Sequence, residues 1–232
     1  MIRKMLVLLG LAITAVVLAG CGSGLEPKKV LKNEVEFVSA VNAKTDQKAY
    51  QSALDQALQK LSVPEGYKLK DVKEAQQNED AVWVFRFEKA NNENNGLNGE
   101  HYSITVAKDQ NKILGFTWMD NRFESSKGIP TEQSAKEHAR LFLKKVEPGL
   151  FDRLENLWIR PHDEFITVNG KQVTVRGMKY KCYLLEADNY AWVIVGANGE
   201  IVTFEQEIKW VDGRVTEKWL HDSWLDSEKE QS

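Results

Sequence analysis

Apolar positions along this chain follow three patterns in turn, and each change of pattern marks a change of element. Met5 to Val17 is an unbroken apolar run except for Gly10 and Thr14, preceded by the cations Arg3 and Lys4. That run is too short and one-sided for a comfortable membrane span and has the form of a secretion signal. The period then becomes helical. Leu31, Val35, Val38 and Val41 predict a helix within Val30–Ala43, and Tyr50, Ala53, Leu54, Ala57, Leu58 and Leu61 predict a second over Asp46–Leu61. Thr45 or Asp46 serves as its N-cap, and Pro64-Glu65-Gly66 stops it.

Beyond Gly66 the period falls to two. Trp83, Phe85 and Phe87 share a strand face opposite Arg86 and Glu88, followed by Tyr102, Ile104 and Val106, and then by Leu114, Phe116 and Trp118. The polar stretch from Asn91 to Glu100 is expected to be a mobile hairpin connection. A further helix opens at Pro130-Thr131-Glu132, with Ala135, Ala139, Phe142, Leu143 and Val146 as its stripe and Pro148-Gly149 as its end. Strands resume at Trp158–Val168, Gln172–Val175, Met178–Glu186, Tyr190–Val195 and Ile201–Trp210, with Asn-Gly turns at Asn169-Gly170 and Asn198-Gly199.

The two stretches resemble each other. Setting Tyr102 on Tyr190 brings Ile113 onto Ile201 and Phe116 onto Phe204, and each half reads as a helix followed by four strands. The expected fold class is α+β, built from two tandem helix-plus-antiparallel-sheet (α-β4) repeats, with a single α+β domain of cystatin or NTF2 type as the alternative. The expected division is 1–20 signal peptide, 21–29 tether, 30–126 first repeat, 127–225 second repeat and 226–232 polar tail.

Two resemblances add to this. Leu18-Ala19-Gly20-Cys21 resembles the lipobox of bacterial lipoproteins, which implies cleavage between Gly20 and Cys21 and diacylation of the Cys21 thiol. Two acyl chains, at about 0.8 kcal/mol per buried CH₂, give stable anchoring, and Gly22-Ser23-Gly24 supplies slack above the membrane. The strand–turn–strand passages around Asp109–Ile113 and Ala197–Ile201 resemble the signature of PepSY-type domains, found in protease propeptides and in secreted or membrane-attached bacterial proteins. In the first passage Asn111 stands where the family has glycine and can take the left-handed conformation. The family implies no catalytic residue. It implies a helix-on-antiparallel-sheet module; with the anchor and no catalytic set, the expected role is an interaction module of the cell envelope, its partner an envelope protein or a secreted peptidase, and the alternative is a small-ligand binding or sensing lipoprotein.

Composition narrows the function. The chain carries 31 Lys and Arg against 34 Asp and Glu, net −3, and loss of the leader's two bases deepens this to −5. The charges are interspersed, so nucleic acid is not an expected partner. With Cys21 assigned to lipid, Cys182 has no disulfide partner, and its alternation with Tyr180 and Leu184 faces it to a core. His101, His138, His162 and His221 show no metal-ligand spacing, and no cofactor motif is present. Asp163 and Glu164 beside Arg160 and His162 form a charged stretch without a recognisable catalytic spacing. No catalytic set is expected. The tail's Trp219 and Trp224 either pack back on the sheet or offer an aromatic interaction surface.

Overall fold

A computed structural model describes residues 47–229. The expected signal peptide, the expected lipidation site at Cys21 with its tether, the helix expected over Val30–Ala43, the N-cap expected at Thr45 or Asp46 and residues 230–232 lie outside these. Among the described residues no helix is long and apolar enough to cross a membrane.

The chain runs α1 (Gln47–Lys60), β1 (Tyr67–Gln77), β2 (Asp80–Lys89), β3 (His101–Ala107), β4 (Ile113–Met119), α2 (Glu132–Val146), α3 (Leu150–Arg153), β5 (Glu155–Val168), β6 (Lys171–Leu184), β7 (Asn189–Val195), β8 (Ile201–Ile208) and α4 (Asp222–Lys229). The class is α+β. All eight strands belong to one antiparallel sheet in the order β1-β2-β3-β4-β8-β7-β6-β5. The two expected four-strand runs are both present as meanders, and they join through β4 and β8 into one continuous sheet. The seam is short, pairing Gly115 with Glu205, Phe116 with Phe204 and Thr117 with Thr203. The Thr117 and Thr203 hydroxyls meet across it at 2.8 Å.

One face of the sheet carries the helices. Tyr50, Leu54 and Ala57 of α1 and Ala139, Leu143 and Val146 of α2 pack on Phe85, Ile104, Phe116, Tyr180 and Phe204 in a single apolar core. Both helices lie where their apolar stripes dictate, and Thr131 caps α2 by accepting a hydrogen bond from the Ser134 N–H at 3.2 Å. Cys182 lies fully buried in this core.

The alternation fails at one point. A register shift between Thr105 and Val106 pairs Val106 with Ile113, so Ile113 takes the core position and Leu114 joins Val82, Val84 and Ala107 on the opposite face. A bulge inverts the facing of one residue, which a strict period of two cannot anticipate. The turns behave as their residues dictate: Asn111, Asn169 and Asn198 all take positive φ, at 51°, 51° and 63°. The stretches 172–175 and 178–186 form one strand, β6, continuous through Gly177.

The opposite face is covered by two other pieces of chain. Pairing of β6 with β7 spans only Met178–Leu184, while β5 and β6 stay paired to the tip at Asn169-Gly170. The free end of this hairpin folds over the sheet. Gly177 sits at the departure point, where a Cβ would stand 2.5 Å from the Ile194 side chain and 2.9 Å from the Val195 carbonyl. Ile166, Val168 and Val175 then pack on Met119, Phe123 and Val202. The hairpin reaches the 91–100 loop, where the Thr167 N–H donates to the Asn98 carbonyl at 2.6 Å and the Asn169 N–H to the Asn94 side chain at 2.7 Å. That loop, expected to be mobile, is instead pinned. Glu100 is fully buried and accepts from Lys89, from the Asn94 amide and from the Asn121 N–H.

The second piece is residues 209–229, which lie beside the folded hairpin. Thr216 bonds Asn78, the Trp219 indole donates to the Gln76 carbonyl at 2.7 Å, and Leu220 is buried against Gly115. Helix α4 continues to Lys229, into the residues assigned from sequence to a polar tail.

Candidate functional site

Between the folded hairpin and the tail the sheet leaves an open cleft of about 430 Å³. Its walls come from distant parts of the chain. Strand β5 contributes His162 and Glu164, two residues apart and so on one face, β6 contributes Lys179, and β7 contributes Trp192. The tail supplies Trp210, Arg214, Lys218 and His221, and α4 supplies Ser223, Trp224 and Ser227.

The floor is anchored by Glu205 of β8, which is 2 % exposed. Its carboxylate accepts from the Trp192 indole at 3.0 Å and from His221 Nε2 at 3.1 Å, and it pairs with Arg214 at 2.7 Å. Burial opposes its charge, but His221 and Arg214 outweigh burial and hold the carboxyl well below the usual carboxylate range. Arg214 also donates to the carbonyls of Thr216 and Glu217 at 2.9 and 2.8 Å through Nε and Nη2. Glu205 is therefore an anchor for the tail, with its acceptor sites in use.

Glu164 stands higher in the cleft. His162 Nε2 donates to it at 2.9 Å, and His221 Nδ1 lies 3.8 Å away. Burial again works against ionisation, and the His162 hydrogen bond with the nearby cations outweighs it, leaving Glu164 ionised. His221 thus stands between two carboxylates.

Lys179 is different. Its Nζ lies 4.0 Å from the centre of the Trp192 ring and, among the described residues, has no hydrogen bond or ion pair. Burial lowers its pKa to about 8, with Lys181 and Arg214 adding to the effect and Glu205 and Glu164 opposing it. Lys218, on the opposite wall, likewise has no counter-charge within ion-pair distance among the described residues.

A second charged cluster lies beneath α4. Arg86 forks onto Asp222 at 2.6 and 3.1 Å and also bonds Glu88 at 2.7 Å, while the Asn98 N–H donates to Asp222 at 2.8 Å. His101 is 2 % exposed, bonded to Ser103 at 2.8 Å, and burial together with the Arg86 charge lowers its pKa to about 3. It is neutral at ordinary pH. This cluster fastens the tail to the first meander, as Glu205 fastens it to the second.

The positions singled out from sequence fall as follows. Trp219 and Trp224 are both half-buried and meet edge to face at 4.8 Å. Trp224 lines the cleft, whereas Trp219 turns away from it under the Lys73 ammonium, 4.3 Å from the ring centre. Trp83 and Trp192 are buried on opposite faces, Trp118 is half-buried, and Trp210, the expected end of the last strand, is 45 % exposed beyond the end of β8. The Arg160-to-Phe165 stretch lies within the regular strand β5. Cys182 is on the helix side, away from the cleft, and burial pushes its thiol up to about 11. Among the described residues no group of three or more His, Cys, Asp or Glu is placed to hold a metal ion.

Sequence reading passed over Lys179, Glu205 and Arg214, and weighed His221 only as one of four histidines without metal-ligand spacing. For Lys179 a signal existed: placing Tyr180 and Cys182 in the core puts Lys179 and Lys181 on the other face, whose covering is written in residues far along the chain. Searches among family models, curated proteins and solved structures find no match to this chain.

Proposed function

We propose that the chain is a lipid-anchored, extracytoplasmic, non-enzymatic protein of the cell envelope, and that its cleft receives a peptide segment of a partner, such as a secreted peptidase that it restrains. Cys21 carries the lipid and Gly22–Gly24 the slack. The two meanders are a pair of PepSY-like α-β4 units; their mirrored strand order about the β4–β8 seam supports this.

The observation that carries the reading is the aromatic lining of the cleft on the tail face. On the helix side, the gap among Leu143, Tyr180, Cys182 and Phe204 is too small for a water molecule, so that core is packed solid. The open cleft on the other side is ringed by Trp192, Trp210 and Trp224, and it can admit a chain from outside. A photoreactive residue replacing Trp224 tests this in the full chain, with Leu141, 53 % exposed on α2, as the control position. Saturable crosslinking to one envelope protein or peptide from position 224 alone is expected. Equal labelling from both positions overturns the reading. The anchor is tested separately: Cys21→Ala abolishes lipid labelling, and labelling that persists removes the assignment.

A second reading has its own observation. Glu164 stands ionised in the cleft between two imidazoles, an arrangement able to carry protons during hydrolysis of a bound peptide. Turnover of a peptide that crosslinks at position 224, abolished by Glu164→Gln, would establish it; binding without turnover leaves the interaction reading.

A further inference from the structure

The cleft contains an imbalance of charge. Glu205 pairs with Arg214 and accepts from the Trp192 indole and His221, and Glu164 accepts from His162. Lys179 and Lys218 are left without a direct partner. Neither ammonium has a hydrogen-bonding or ionic partner among the described residues, and both line the same space. A partly buried ammonium without a counter-charge is costly, and the Trp192 face at 4.0 Å recovers only part of that cost.

We propose that this pair of ammonium groups is the seat of a carboxylate on the bound peptide, with an apolar or aromatic group next to it held among Trp192, Trp210 and Trp224. The inference rests on the peptide-binding reading above and names the chemistry of the peptide. Two features favour a carboxylate over a phosphate. Arg214, the arginine that lines the cleft, is already engaged with Glu205 and with the Thr216 and Glu217 carbonyls through Nε and Nη2. The two groups without partners are ammonium point charges rather than a planar fork, and they suit a single carboxylate.

The same geometry fixes a pH signature. The groups facing Lys179 are Glu164, His162 and Arg160 from β5, Lys181 from its own strand, Glu205 from β8, and Arg214, Lys218 and His221 from the tail. With its pKa at about 8, the free site is partly unprotonated at pH 8.5, and an arriving carboxylate stabilises the charged form. Binding near pH 8.5 therefore takes up a proton, and affinity falls as the pH rises further.

The test uses the full chain in detergent and three peptides, followed by tryptophan fluorescence and calorimetry. The first is an N-acetylated tetrapeptide ending in Phe-Ala with a free carboxylate; the second is its C-terminal amide; the third is that amide with Glu placed beside the Phe. Binding of the free acid at least tenfold tighter than the amide, with proton uptake at pH 8.5, supports the proposal. Comparable binding of the third peptide assigns the seat to acidic side chains as well as chain ends. Lys179→Met removes the preference for the acid and leaves the amide unchanged, whereas Lys179→Arg retains the preference and loses the proton uptake. Equal binding of acid and amide overturns the carboxylate seat but leaves peptide binding standing. No binding by any of the three overturns both, and so does a fluorescence response to inorganic phosphate alone.

Discussion

The two faces of the sheet are held down by different physics. The helix face is apolar throughout: α1 and α2 lay small and branched residues onto aromatic strand positions, and the space is filled. The tail face mixes apolar islands with two clusters of buried charge, Arg86–Asp222–His101 and Glu205–Arg214–His221. Burial on the first face is close to additive and insensitive to pH. On the second, each charge is tolerated only because its partner is present, so removing one group exposes the cost of another. The difference also explains where a cleft can exist, since polar walls stay open to water and apolar ones close.

Five experiments sharpen or break this contrast. Deleting residues 214–232 strips Glu205 and Arg86 of their tail partners together and is expected to cost about 5 kcal/mol or more in urea unfolding. A loss below about 1 kcal/mol would mean the tail merely rests on the sheet. Arg86→Met, which leaves Asp222 and Glu88 unpaired, is expected to cost about 3–5 kcal/mol, against about 2–5 kcal/mol for Leu54→Ala on the helix face.

The two substitutions separate in acid. Glu205, Asp222 and Glu164 have depressed folded pKa values, so the stability they give is complete above the ordinary carboxylate range and is lost as pH falls through those lower values. His101, lowered to about 3, acts in the same direction: between about 6.5 and 3 the unfolded chain takes up a proton that the folded one refuses. Unfolding measured from pH 7 to pH 4 should show the Leu54→Ala difference constant and the Arg86→Met difference shrinking. A parallel pH dependence for both would erase the distinction between the faces.

Smaller effects follow. Lys179→Met should stabilise the chain by about 1–2 kcal/mol at pH 7, the ammonium being partly exposed and its burial cost discounted accordingly. A lysine with a lowered pKa penalises the fold most below its folded value, so this gain should fade as pH rises from about 8 past 10. Thr131→Ala removes the α2 cap and should cost about 1 kcal/mol, independent of pH in the neutral range.

Local rules made the helix face legible from sequence. The spacing of Tyr50, Ala53, Leu54 and Ala57 needs only the helical period, and Phe85, Phe87, Tyr102 and Ile104 need only alternation. The Asn-Gly turns and the left-handed Asn111 came from the side chains themselves. The tail face was hidden because its contacts are long-range: Arg86 meets Asp222, and Asn78 meets Thr216. Period two assigns a residue to a face but does not say what covers that face. The merging of the meanders was hidden for the same reason, since the seam rests on a few pairs between strands far apart in the chain.

The tail's position has a consequence for the order of events during synthesis. The groups that neutralise Glu205 and Arg86 are translated after both meanders, and the tail touches both, through Asp222 on one side of the seam and Arg214 on the other. A nascent chain still lacking them has its helix face assembled and its charges unanswered. The sheet can be drafted while the chain is emerging, but its back is sealed only once residues 209–229 have followed it. A chain that stops before them would carry that unsealed charge as a mark of incompleteness, open to the proteases that remove unfinished proteins.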